Sequence, residues 1–256
     1  MENAERYEIK VEALTKRFGE FVAVSGIDLE IRRGKVFALL GPNGSGKTTT
    51  VRMIAALLWP DSGNARVAGY SVATQPLEVK KRIGILPDAS ALFSRITLWE
   101  HLIMEGLVRG LSRTVTEARA EDLLRYLDLW DRRHVFADEG SMGMRKKLGI
   151  ALALIHAPDI VILDEPFEGL DPISATKIRD LLRATVSKRG TTLLITSHLL
   201  ALLETLIDDV AIISAGKIVH RCSAAEIREK GGTLESLYLD VIKDKDNNPE
   251  VMTWLV

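Results

Sequence analysis

The chain carries a single cysteine, Cys222, among 256 residues. One thiol excludes a disulfide framework and any zinc site built from several cysteines, and it suits a reducing compartment. Net charge is lacking as well: 34 Lys and Arg stand against 35 Asp and Glu, a formal net charge of −1. Without a basic excess there is no electrostatic footprint for nucleic acid and no polybasic anchor for anionic lipid. Long apolar runs are missing too. The run Ile150 to Ile155 is broken by His156, Pro158 and Asp159, far short of the roughly 20 apolar residues that cross a bilayer. The opening MENAERYEIK is charged and has no signal-peptide core. The expectation is a protein that stays where it is made, with any membrane it serves spanned by another chain. No internal repeat or low-complexity tract is present, and the polar KDKDNNPE, Lys243 to Glu250, is expected to be a loop.

What is present divides by periodicity. Residues 7–40 alternate apolar and polar in short runs (YEIKVEAL, GIDLEIRRG), the pattern of an antiparallel sheet with one wet face. KVFALLG, DIVILDEP, TTLLITS and DVAIIS are continuous apolar runs, as in parallel strands buried on both faces. Between them, about residues 90–157, the text is helical. Ser/Thr-x-x-Glu capping boxes predict helix starts at Thr97 (TLWE), Thr114 (TVTE) and Ser223 (SAAE), the last helix ending at Gly231. Asp171 followed by Pro172 predicts another start.

GPNGSGKTTT, Gly41 to Thr50, lies between the strand KVFALL and the helix-periodic VRMIAALL. G-x4-G-K-T in that setting is a phosphate cradle, and the bare pattern arises by chance in about 1% of chains this long. Gly41, Gly44 and Gly46 let successive N–H groups converge on an anion. Pro42, Asn43, Ser45 and Thr49 complete the loop. Lys47 supplies a cation to the β and γ phosphates, and the Thr48 hydroxyl suits a nucleotide-bound Mg²⁺. In IVILDEP a buried strand delivers Asp164 and Glu165 to its carboxyl end, where ligands gather in open α/β sheets. Asp164 is expected to orient Mg²⁺ and Glu165 to polarise the water that attacks the γ-phosphoryl group.

A Ser-Met-Gly turn at Ser141, opening into a helix, admits two readings: an anion-holding helix start, or an ordinary N-cap. The rest of the chain decides between them. GPNGSGKTT, GILPD (Gly84 to Asp88), SMGMRKK, ILDEP, EGLD and TSH follow one another in an order that resembles the ABC ATPases over roughly residues 7–221. The resemblance implies a P-loop, RecA-like α/β core with an N-terminal antiparallel β subdomain and an inserted helical subdomain. It implies an ATPase domain over 1–221, with the helical part about 90–157 and a short helical extension over 222–256. It further implies a head-to-tail dimer, with a second copy or a homologous subunit, around two ATP molecules. In such a dimer Ser141 and Gly143 close over the γ-phosphate held by the neighbour's cradle. Phe18 matches the aromatic that stacks on adenine, His198 a histidine touching the γ-phosphate, and Asp171 an aspartate that passes information across the dimer. The branch resembled, from GMRKKL and TLESLYLDV, is that of exporters pairing with a small six-helix permease, at the cytoplasmic face of the cell membrane.

Two departures from the family pattern bear on mechanism. Asp88 stands where glutamine is usual, and Gly140-Ser141-Met142-Gly143-Met144 where Leu-Ser-Gly-Gly-Gln is usual. Asp88 can still coordinate Mg²⁺ but cannot donate a hydrogen bond to the attacking water, so slower or differently coupled hydrolysis is expected. The permease contact is expected from Gly84 through the helix after Thr97, whose apolar face includes Leu98, Trp99, Leu102 and Ile103, with part of that stripe expected to be ordinary core. The competing classes fit less well. A nucleic-acid ATPase with this core needs heptad insertions, zinc cysteines or two tandem copies, and a regulatory module without turnover would be expected to lose Glu165 or His198. A P-loop kinase gives no reason for SMGM or TSH.

Overall fold

A computed structural model of the chain describes residues 7–87 and 91–243. Asp88 and the tail beyond Lys243 therefore lie outside the described residues, as does the expected loop apart from Lys243 itself.

The chain opens with a hairpin, β1 (Tyr7–Phe18) and β2 (Phe21–Arg32), then enters the buried strand β3 (Val36–Leu40) and the helix α1 (Lys47–Ile54). β4 (Ser62–Val67) and β5 (Tyr70–Ser71) return to the hairpin, giving an antiparallel sheet of order β2-β1-β4-β5. After α2 (Pro76–Arg82) and β6 (Ile83–Ile85) comes the helical section: α3 (Leu98–Val108), α4 (Arg113–Tyr126) and α5 (Met142–Leu154). Strand and helix then alternate through β7 (Ile160–Asp164), α6 (Pro172–Arg189), β8 (Thr192–Thr196), α7 (Leu200–Glu204) and β9 (Asp209–Ser214). β10 (Lys217–Ser223), α8 (Ala224–Glu229) and α9 (Leu234–Lys243) finish the described chain.

The second sheet runs β10-β9-β3-β8-β7-β6, parallel except at its β10 edge. A strand in its middle is covered on both faces, which is why VFALL and TLLIT are apolar at every position, or nearly so. Alternate residues of β3 feed two cores. Val36, Ala38 and Leu40 join the cluster under the helices, while Phe37 and Leu39 join the cluster between α1 and the antiparallel sheet. β10 runs across residue 221, and α8 and α9 pack on the helix-side core through Ala224, Ile227 and Leu234.

Three of the four predicted helix starts fall where the sequence puts them. Thr97 and Ser223 form reciprocal capping boxes with Glu100 and Glu226, and Asp171 accepts from the Ser174 N–H with Pro172 next to it. The fourth does not. Helix α4 starts two residues early, capped by Ser112, whose hydroxyl accepts from the Val115 N–H at 3.3 Å. Ser112 holds extended backbone just after the left-handed Gly110 that ends α3, so it reaches an unpaired N–H first. Thr114 then sits inside the first turn, and Glu117 pairs with Arg113 at 2.8 Å instead of reaching back to the cap.

The apolar face of α3 is in part ordinary core, as expected. Leu98 and Leu102 are fully buried, and Trp99 and Ile103 pack against the same core. Leu98 and Leu102 thus hold α3 onto the helix-side core, while Trp99 and Ile103 stay partly accessible.

Candidate functional site

The Gly-rich turn leaves the carboxyl end of β3 and opens α1. Gly46, at the N-cap, has φ 106° and no side chain that caps the helix. The first N–H groups of α1 therefore point into the loop without a side-chain acceptor, which is where an anion is favoured. A β-carbon on Gly46 would stand 2.5 Å from the Ala23 carbonyl oxygen, and one on Gly41 would run into the Ile213 carbonyl. Both glycines are thus required by close approach of neighbouring backbone. Lys47 is buried and folds over the loop, donating to the carbonyls of Gly41 at 2.7 Å and Pro42 at 3.1 Å. Burial pulls its ammonium below the usual lysine pKa, and the carboxylates of Glu165 and Asp164 push back. The Ser45 hydroxyl is buried with no hydrogen-bond partner, a polar group poised for an acceptor.

Two adjoining clefts meet at Thr48 and Glu165. One, of about 280 Å³, runs from Phe18, Phe21 and Ala23 along Asn43, Gly44 and Ser45 to Thr49 and Glu165. The other, of about 350 Å³, is lined by Thr48, Asp164, Glu165 and Glu168 with Met142, Arg145 and Lys146 of α5. Phe18 and Phe21 face each other across the β1–β2 hairpin and are 51% and 62% exposed, unusual for rings that have a core to enter. Lys16 Nζ lies 5.7 Å from the Phe18 ring centre.

The acids sit at the end of β7. The Thr196 hydroxyl donates to Asp164 Oδ1, and the Glu165 N–H donates to Thr196 Oγ1 at 3.0 Å. Glu165 holds φ 49°, a left-handed backbone that side chains rarely adopt. The Glu165 carboxylate accepts from the His198 N–H at 3.2 Å and from His198 Nδ1 at 2.9 Å. A carboxylate has only acceptors in its ionised form, so Nδ1 is the donor there. Its main-chain carbonyl accepts from Lys146 Nζ at 2.9 Å.

The residues singled out by sequence therefore divide into groups. Phe18, the whole cradle, Asp164, Glu165 and His198 come together in this chain. Ser141 and Gly143 line neither cleft: Ser141 caps α5, accepting from the Met144 N–H at 3.2 Å, and Gly143 packs beside Gly169. Asp171 caps α6 with both oxygens, to the Ser174 N–H at 2.9 Å and the Ser174 hydroxyl at 2.6 Å, and these bonds hold its carboxyl below the usual range. Asp88 is outside the described residues. Sequence reasoning passed over Thr196, Phe21 and Lys146. A polar residue closing an apolar strand was a usable sign for Thr196, and the second aromatic of RFGEF for Phe21.

Comparison with known proteins agrees with this geometry. The family profile described as ABC transporter matches residues 24–168. The daunorubicin/doxorubicin resistance ATP-binding protein DrrA of Streptomyces peucetius is 37% identical over 88% of this chain and 68% of its own length. The ABC transporter ATP-binding protein NatA of Bacillus subtilis is 39% identical over 91% of each chain. A solved structure of an ATP-binding subunit of an ABC transporter is 30% identical, covers 91% of this chain and 98% of its own, and superposes with a TM-score of 0.84. A phosphate cradle at the end of a central parallel strand, acids on the next strand but one, and an α5 opened by Ser-Met-Gly are thus joined to relatives of the same cassette: the chain is an ATP-binding domain of the ABC transporter family.

Proposed function

We propose that this chain binds and hydrolyses ATP to power a separate membrane permease of the exporter type, as a head-to-tail dimer with two shared ATP sites. It works on the cytoplasmic face of the cell membrane, held there by the permease. Among the described residues no helix is long and apolar enough to cross a membrane. The observation that carries the reading is the meeting of the uncapped α1 N-terminus, Lys47 and Glu165 around one cleft, with Glu165 held from behind by His198.

In this reading adenine stacks on Phe18, which needs no other partner than a π face. The triphosphate lies along Gly41 to Thr49, and Lys47 exchanges its loop carbonyls for phosphate oxygens. Thr48 and Asp164 line the cleft beside Glu165 and are hard oxygen donors, the set that suits Mg²⁺ held largely by phosphate and water. When bound, that ion supplies charge neutralisation to the transferring phosphoryl group. Thr196 fixes Asp164, and His198 fixes Glu165 through Oε2, leaving Oε1 to take the proton of the attacking water. Ser141 and Gly143, which line neither cleft of their own chain, close the neighbour's site, and Asp171 sits at the seam. Hydrolysis removes the ligand that both halves share, so the halves part.

The permease contact is an open groove of about 780 Å³ between the core and the helical section, rimmed by Leu57, Leu77, Val108 and Arg109. Leu77 and Val108 are 70% and 75% exposed, apolar side chains open to a partner.

Glu165→Gln tests the shared site. It keeps the shape and loses the base, so turnover falls by roughly a hundredfold or more, while sedimentation with Mg-ATP shows a dimer that the wild type forms only transiently. A variant that stays monomeric under saturating Mg-ATP overturns the shared-site reading.

A further inference from the structure

Glu165 is gripped from three sides. Its N–H is tied to Thr196 of β8 and its carboxylate to His198 just beyond, both at the end of the parallel sheet. Its carbonyl is tied to Lys146 of α5 at 2.9 Å and to the Glu168 N–H at 3.3 Å. Among the described residues, the Lys146 bond is the hydrogen bond that reaches Glu165 from the helical section. Lys146 lies five residues beyond Ser141, so along a helix it follows the α5 tip by about 7.5 Å. Leu148, Ile150, Ala151 and Ala153 are buried in the helix-side cluster, so a push on the tip of α5 is passed along a packed helix.

We propose that Lys146 is a positioning residue, coupling the tip of α5 to the backbone of Glu165 so that nucleotide at that tip sets the base of this chain's own site. The proposal rests on the shared-site dimer above. A left-handed Glu165 is a costly conformation held only by its surroundings. Holding its carbonyl fixes the peptide plane and with it the direction of the side chain. Contact between Ser141 and the partner's ATP moves or steadies α5 as a body, and the ammonium of Lys146 transmits that to a residue serving the other ATP. The two sites of the dimer are thereby linked through one helix.

The test compares steady-state hydrolysis by wild type, Lys146→Met, Lys146→Arg, Ser141→Ala and the double variant Ser141→Ala/Lys146→Met, with thermal melts of each. Lys146→Met is expected to lower kcat by roughly tenfold and leave KM for ATP within about twofold, because the cradle is untouched. Lys146→Arg restores most of the rate, since a guanidinium also reaches a carbonyl. The double variant is no slower than the slower single variant, because both changes cut one line of coupling. Wild-type kcat in Lys146→Met overturns the proposal, as does a loss that arginine does not restore, or effects of Ser141 and Lys146 that multiply independently. A wild-type protein that turns over no ATP overturns the shared-site reading itself, which distinguishes the two failures.

Discussion

Protonating His156 would place a third cation beside Arg109 and Arg119 in a half-buried setting. Its Nε2 meets the Ile83 carbonyl at 3.2 Å and its Nδ1 is buried without a partner. Burial, then the charge of Arg109, pulls its pKa from 6.5 down to about 4, against the pull of the Ile83 carbonyl. The folded chain thus refuses a proton that the unfolded chain accepts below pH 6.5. Stability contributed by neutral His156 is complete above that pH and is lost as pH falls toward 4. Urea midpoints measured from pH 7 to pH 4 are expected to fall less steeply for His156→Gln than for wild type; parallel curves would show that the residue is not the source. At this scale the sequence revealed the groups whose spacing is dictated by chemistry: cradle, Asp164, Glu165, His198. Lys146 was not legible, because a lysine in an RKK run reads as solvated charge until α5 is laid against the 165–168 turn.

Elements were legible where local and tertiary preference agree. The uniformly apolar β3 and β8 declared themselves buried on both faces, and the capping boxes at Thr97 and Ser223 set their helices. Thr114 misled because a valid box can lie within a helix that a nearer serine has already started. The stripe on α3 was legible only as part core, because periodicity marks an apolar face without saying what covers the rest of it. The end of α5 offers a test of backbone economy. Ala157 holds φ 55° as the chain turns toward β7, and its N–H donates to the Leu154 carbonyl at 2.8 Å. Alanine pays a steric cost there that glycine avoids, the usual reason for glycine just past a helix. Ala157→Gly is expected to raise unfolding free energy by about 0.5–1 kcal/mol, net of the extra freedom of the unfolded chain. Chemical denaturation with an unchanged m-value checks it.

At the scale of the molecule, the groove between core and helical section is where force leaves the protein in the reading above. Leu77 stands in the first turn of α2, 70% exposed on the groove rim. Leu77→Glu adds an acid where a helix start favours one, so the melting temperature and the basal ATPase rate should hold. Recovery of the permease with the purified chain should drop severalfold; equal recovery would move the docking surface elsewhere.

Because successive side chains of β3 are wedged into opposite layers, the strand cannot tilt toward either without opening a void in the other. The turn grown from its end inherits that immobility. Fuel therefore meets a fixed seat, and whatever travels during the cycle must be the periphery: the helical section, its serine tip and the rim around the groove.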